Sequence, residues 1–144
     1  MANAWYDDGL KAFAQGSVVW KASGGSTIEA ILVDSGYTYS AAHTSLSDVT
    51  ATARHTNDGG SAVALTLTDA AAGGILDASD ITFTGMTSAP AYTAIIVYKR
   101  TSTGDANTTL LMYIDTGTSG LPTSSGATTV NVVWSNDTNK IAKL

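Results

Sequence analysis

"AIIVYKRTSTGDANTTLLMYID", residues 94–115, decides the fold. It reads as two strands joined by a turn of serine, threonine, glycine and aspartate. Both strands are apolar on both faces. Ile96 and Tyr98 point one way and Ile95 and Val97 the other. Simple alternation then sets Leu110, Met112 and Ile114 against Leu111 and Tyr113. A hairpin with one face in water alternates apolar with polar residues, because successive side chains face opposite sides of a sheet. This pair therefore belongs in the middle of a sheet, and something must cover each face.

On either side of this hairpin strand patterns dominate. "TIEAILVD" (27–34) is apolar on both faces, "SAVALTLTD" (61–69) and "DITFTGM" (80–86) alternate, and "ATTVNVVWS" (127–135) alternates again. "SVVWK" (17–21) and "KIAKL" (140–144) read as short strands, and "NDGG" (57–60) as a tight turn in which asparagine and glycine tolerate positive φ. Residues 35–57 are polar and irregular, with Tyr37, Tyr39, Leu46 and Val49 as isolated anchors. One helix is expected, over about Trp5 to Gln15, capped by Asp7 or Asp8 and stopped by Gly16; Trp5, Tyr6, Leu10 and Phe13 form its apolar flank. Gly9 within it costs about 1 kcal/mol against alanine, so this helix needs tertiary support. The expected fold is mainly β: one domain over 1–144, an antiparallel sandwich or barrel of about eight strands, with a short helical segment in 1–16.

Composition agrees. Of 144 residues 44% are apolar and only 13% charged, about half the usual share. Eleven of the twelve acids are aspartate, the turn-former, and only Glu29 is glutamate. The net charge of −5, with no basic cluster beyond Lys99–Arg100, supplies no positive stripe for nucleic acid. Apolar runs fall far short of the ~20 residues of a membrane helix. The absence of cysteine removes disulfides, thiol catalysis and cysteine-ligated metals. The opening "MANAWYDDGLKAF" has no basic region followed by an apolar block, so no secretory signal is expected, synthesis in the cytoplasm is the default, and the glycosylation-like triplets at Asn107 and Asn136 read as coincidence.

Reactive groupings are sparse. His43 with Ser45, Ser47 and Asp48 has the residue types of a hydrolase triad, but no strained G-x-S-x-G turn presents a serine; a loop histidine bonded to backbone is the simpler expectation. His55 with Asp58 offers too few ligands for a closed zinc site and reads as an exposed turn histidine. Asp77 and Asp80 in "DASD" could contribute oxygens to calcium, though without an EF-hand pattern; as turn-formers they are simpler. Glu29 reads as a solvated strand residue. Trp5, Trp20 and Trp134 could stack sugars, but packing is the plainer role. No cofactor is expected, and no enzyme.

Taken whole, the chain resembles small virion structural proteins of tailed bacteriophages. The resemblance is carried by "WYDDGLKAFAQGSVVW" (5–20), "IEAILVDSGYTYSAAHTSLSDV" (28–49), "LDASDITFTGM" (76–86), "AIIVYKRTSTGDANTTLLMYIDTGTSGLP" (94–122) and "VNVVWSNDTNKIAKL" (130–144). Residues 50–74 match least, and Ala142 stands where the family often has a more aromatic ending. The resemblance implies a place in a particle. The favoured place is the outer head, as a capsid decoration (cement) protein bridging major capsid protein or other virion subunits, self-associating there. A tail, neck or baseplate component is the alternative, and a carbohydrate-binding attachment module a third. A ten-residue helix covers only part of a sheet face, so some of the remainder is expected against neighbouring chains, through Trp5, Tyr6, Leu10 and Phe13 and the C-terminal Ile141 and Leu144.

Overall fold

The computed structural model describes residues 3–87, 89–116, 119–138 and 140–144. Parts of three expected features therefore lie outside the described residues: the start of the 1–16 segment, Gly117 and Thr118 of the "GTSGLP" loop, and Asn139 of the "NDTN" turn.

The fold is mainly β, antiparallel, with one short helix. In chain order the elements are β1 (Ala4–Trp5), α1 (Asp7–Ala14), β2 (Ile28–Asp34), β3 (Val63–Ala64), β4 (Ile75–Leu76), β5 (Ile81–Thr84), β6 (Tyr92–Arg100), β7 (Thr108–Ile114), β8 (Thr129–Val132) and β9 (Ala142–Lys143). A five-stranded sheet runs β1-β7-β6-β2-β3, and β4-β9 and β5-β8 are separate two-stranded ladders. Among the described residues no sheet closes, so the barrel alternative falls. The strand expected at "SVVWK" does not form. Its backbone is held locally instead, with Ser26 N donating to the Val19 carbonyl and Val19 N to Ser26 Oγ.

The hairpin is the centre of the sheet, as its two apolar faces require, but its register differs from simple alternation. Val97 pairs with Met112 and Tyr98 with Leu110, so Leu111 is an extra residue. Such a bulge turns two consecutive side chains to one side. Leu111, Met112 and Ile114 accordingly share one core with Ile95 and Val97, and Leu110 joins Tyr113, Ile96 and Tyr98 on the opposite face.

The first face is covered by the two ladders and the chain around them, through Leu65, Leu67, Leu76, Ile81, Phe83, Val130, Val132 and Trp134. The second is covered by the segment that reads as irregular loop. Tyr37, Leu46, Val49 and Ala53 pack on Ile31, Val33, Ala94, Ile96, Tyr98 and Leu110. Burial of each large side chain stabilises by about 1.5–3 kcal/mol, which is what drives a polar segment to lie across the sheet. The expectation that neighbouring chains cover this face is thus corrected: the protein covers it itself.

Nor does the helix lie across a face. It continues the chain from β1 along the free side of β7. Tyr6 N donates to the Leu111 carbonyl, and Gly9 then sits so close that an added Cβ would lie 2.8 Å from Leu110 O and Leu111 Cα. Glycine is required here for close approach, which explains a residue that weakens the isolated helix. Asp7 and Asp8 lie in the first turn rather than at the cap, which is Tyr6. Gly16, at φ 69°, follows the C-cap Gln15 as the left-handed stop.

Candidate interaction groove

The two ends of the described chain meet on one side of the sheet. Asn3 fastens the N-terminal arm: its Oδ1 accepts from Asp115 N and Thr116 N at 3.0 Å each, and its Nδ2 donates to Thr116 O at 2.8 Å. β1 then pairs Ala4 with Tyr113 and Trp5 with Met112. Trp5 meets Phe13 of the helix edge to face, with ring centroids 5.7 Å apart. From the other end, Ile141 N donates to Leu76 O and Leu144 N to Gly74 O, anchoring β9 beside β4.

Between these ends lies a groove of about 350 Å³. Its apolar lining includes Trp5, Met112, Ile114, Ile141 and Ala142, and its polar lining Asn3, Thr116, Ser135, Asp137, Lys140 and Lys143. Apolar and polar groups line it in nearly equal measure, and its volume is at the small end of those of binding sites. Lys140 and Lys143 share this patch with Asp137, and the Lys140 ammonium also stands 4.0 Å from the Asp77 carboxylate.

The six residues expected at an interface divide. Trp5 and Ile141 come together in the groove. Leu10 and Leu144 are surface residues, 44% and 50% exposed, outside its lining. Phe13 is half-buried against the first core. Tyr6 is wholly buried, its hydroxyl 2.9 Å from that of Tyr37, so it holds the arm to the second-face cover rather than meeting a partner. Tyr39 completes that clasp, donating its hydroxyl to the Trp5 carbonyl at 2.5 Å. This bond also occupies the edge of β1, where an unpaired carbonyl would invite another strand.

The tryptophans separate in the same way. Trp20 and Trp134 are interior, their indole N–H groups donating to Asp77 O and Ser79 O at 2.9 and 3.0 Å. Trp5 alone of the three lines the groove.

The other groupings are structural in their geometry. His43 Nδ1 is 2.8 Å from the Tyr37 hydroxyl, while the Asp48 carboxylate accepts from Thr44 N and Ser45 N and closes a capping box with Ser45; the histidine and the acid are not joined through a serine. Those bonds hold the Asp48 carboxyl below its ordinary value. Asp77 Oδ1 accepts from Ala78 N and Asp80 Oδ1 from Trp134 N, each bracing backbone. Among the described residues no group of three or more His, Cys, Asp or Glu could hold a metal ion, and no helix is long and apolar enough to cross a membrane. Glu29 is half-buried on β2 instead of solvated. Its Oε2 accepts from Tyr98 Oη and Arg100 Nε, both at 2.7 Å.

His55 is the largest departure from expectation. It is fully buried, standing edge-on to Phe83 at 4.9 Å between ring centroids. Leu32 N donates to its Nδ1 at 3.0 Å and its Nε2 lies 2.9 Å from Ser61 O, which fixes the neutral tautomer with the proton on Nε2. The ring stands where a continuation of β3 along β2 would otherwise satisfy Leu32. Burial draws its pKa below the ordinary histidine value. Beside it, the Arg54 guanidinium donates to the carbonyls of Leu46 and Val49 and to the Asp105 carboxylate. A lone arginine in a polar segment gives no signal by which to find this. Set against protein-family models, curated proteins and solved structures, the chain matches none.

Proposed function

We propose that this is a non-enzymatic virion structural protein, most favourably a capsid decoration protein on the outer head that bridges major capsid protein or other virion subunits. The observation that supports the reading is the groove in which Trp5 and Ile141, from opposite ends of the chain, form one apolar wall inside a polar rim. A half-buried tryptophan on a rigid sheet edge suits an anchor for a partner, since aromatic side chains in pockets carry most of the energy of interfaces. Because each sheet face is covered internally, association falls to this groove and to scattered surface residues such as Leu10 and Leu144.

Heads lacking the protein, incubated with purified chain, test the reading. Trp5→Ala should weaken binding by about thirtyfold, the equivalent of about 2 kcal/mol for an interface anchor. Val19→Asp, at an exposed site outside the groove lining, should bind as the unmodified chain does. Undiminished decoration by the Trp5 variant would overturn the assignment to the groove, and failure of the unmodified chain to bind any virion component would overturn the role itself. One feature favours a second reading, glycan attachment: the indole that lines the groove is bordered by amide, hydroxyl and carboxylate groups. Glycan-array binding lost in Trp5→Ala would replace the first reading with the second.

A further inference from the structure

The second-face cover touches the groove's supports at one end and is pinned to the sheet at the other. At its start, Tyr37 and Tyr39 clasp Tyr6 and the Trp5 carbonyl, and Asp7 N donates to Ala41 O. At its far end, His55 accepts from Leu32 N within β2, and Arg54 bridges to Val33. We propose that His55 is a pH-sensitive pin: its protonation loosens the 35–61 cover and, through Tyr37 and Tyr39, the N-terminal arm that presents Trp5. The consequence for docking rests on the proposed role of the groove; the pin itself does not.

The chemistry follows from the two ring nitrogens. Neutral His55 meets one donor and one acceptor. A second proton on Nδ1 would face the Leu32 N–H donor, breaking that bond and leaving a charge in an apolar pocket. The groups around the ring offer partial compensation at best. On its own turn Asp58 is the nearby carboxylate, but that group already accepts the Tyr92 hydroxyl of β6 at 2.5 Å. β2 carries two acids, Glu29, which is tied to Tyr98 and Arg100, and Asp34 at the strand end, whose Oδ1 accepts from Gly36 N at 2.7 Å; from β5 the neighbour is Phe83, and Met86 follows it. Arg54 directs its guanidinium away, to Leu46, Val49 and Asp105.

The sign is fixed by the direction of the shift. A histidine whose folded pKa is lowered contributes its full stability above its unfolded value of about 6.5, and loses it as pH falls from there toward the folded value. Opening of the cover should therefore rise by up to about tenfold per pH unit below about 6.5. Asp48 acts in a separate window, from the ordinary carboxylate value of 3.8 downward.

Hydrogen exchange of the intact chain at pH 7.5 and 5.0, corrected for intrinsic rates, tests the pin. Exchange in 37–58 and in the arm 3–7 should accelerate together at pH 5.0, while β6 and β7 stay protected. His55→Gln replaces the ring with a fixed donor and acceptor, and should abolish the acceleration. Ring-nitrogen NMR of the unmodified protein gives the same answer should that variant not fold: Nδ1 of His55 should protonate in step with the exchange. Equal protection at both pH values overturns the proposal, as does uniform loss across β6 and β7, or an acceleration that persists in His55→Gln. If the cover opens while head binding is unchanged, the pin stands and the role of the groove fails.

Discussion

Gly9→Ala sets two effects of similar size against each other. In an exposed helix interior, alanine for glycine stabilises by about 1 kcal/mol. Here the new Cβ would lie 2.8 Å from Leu110 O and Leu111 Cα and 2.9 Å from Leu111 O. Ordinary contact between carbon atoms begins near 3.5 Å, so the shortfall is about 0.7 Å. The obstructing atoms are backbone at a bulge, flanked by the β6 ladder, and cannot swing aside as a side-chain tip would. The helix must lift, which strains the Tyr6 N to Leu111 O bond and the seating of Ala12 and Phe13 on the core. Overpacking of this kind costs about 1–3 kcal/mol, so after the propensity gain the variant should lose about 1 kcal/mol. With a urea slope of about 2 kcal/mol/M, the unfolding midpoint should fall by about 0.5 M. Gly9→Leu should fall further. A midpoint for Gly9→Ala that rises by about 0.5 M, as an exposed helix glycine would give, would show that the helix is not seated on β7.

Further outcomes follow from the cover. Arg54→Met leaves the Val49 carbonyl without its guanidinium donor, an orphaned buried acceptor costing about 1–3 kcal/mol, while the Leu46 carbonyl loses a charge-assisted bond but keeps Val49 N; urea unfolding should show a loss of about 2–4 kcal/mol, and a loss under 1 kcal/mol would mean the cover is held otherwise. All six tyrosines have pKa values raised, chiefly by burial. A raised phenol contributes stability below its unfolded value of about 10 and loses it as pH climbs beyond, so tyrosinate absorbance at 295 nm should lag the free amino acid and rise only as the fold is lost. Smooth ionisation centred at pH 10 with circular dichroism unchanged would contradict the packing of these rings. Glu29→Gln removes the charge that Arg100 and the Tyr98 hydroxyl share; thermal unfolding should show destabilisation of about 1–3 kcal/mol, less than for Arg54→Met because the site stays partly hydrated.

Much of this fold is legible in the sequence because periodicity records burial. The double-sided apolarity of 94–100 and 108–114 marks the sheet centre, and the alternations around Phe83 and Val130 mark strands with one wet face. What cannot be read is what depends on a distant partner. Nothing in "TTLLMYI" announces that Leu111 bulges, and so Leu110 changes face. Leu65 and Leu67 alternate cleanly and are buried, yet the strand there is only Val63–Ala64, because the chain then leaves β2 and Leu67 bridges Ala78 instead. The cover is polar along its length because its few anchors are spaced by caps and turns; its apolar content looks too thin until Tyr6 and Tyr113 are added from elsewhere. His55 in "RHTNDGG" looks like a wet turn for the same reason. Of the candidate site, Trp5 and Ile141 are legible as apolar residues near the chain ends, but their meeting in one groove, and the burial of Tyr6, are tertiary facts.

The most direct test is a side-chain-resolution reconstruction of the intact particle. Copies of this domain should lie on the outer head with a segment of another subunit seated against Trp5, Met112 and Ile141, and with the 35–61 cover folded on its own sheet. Density showing the groove open to solvent, and neighbouring subunits packed instead on Ile31, Ile96 and Leu110 with the cover displaced, would contradict it.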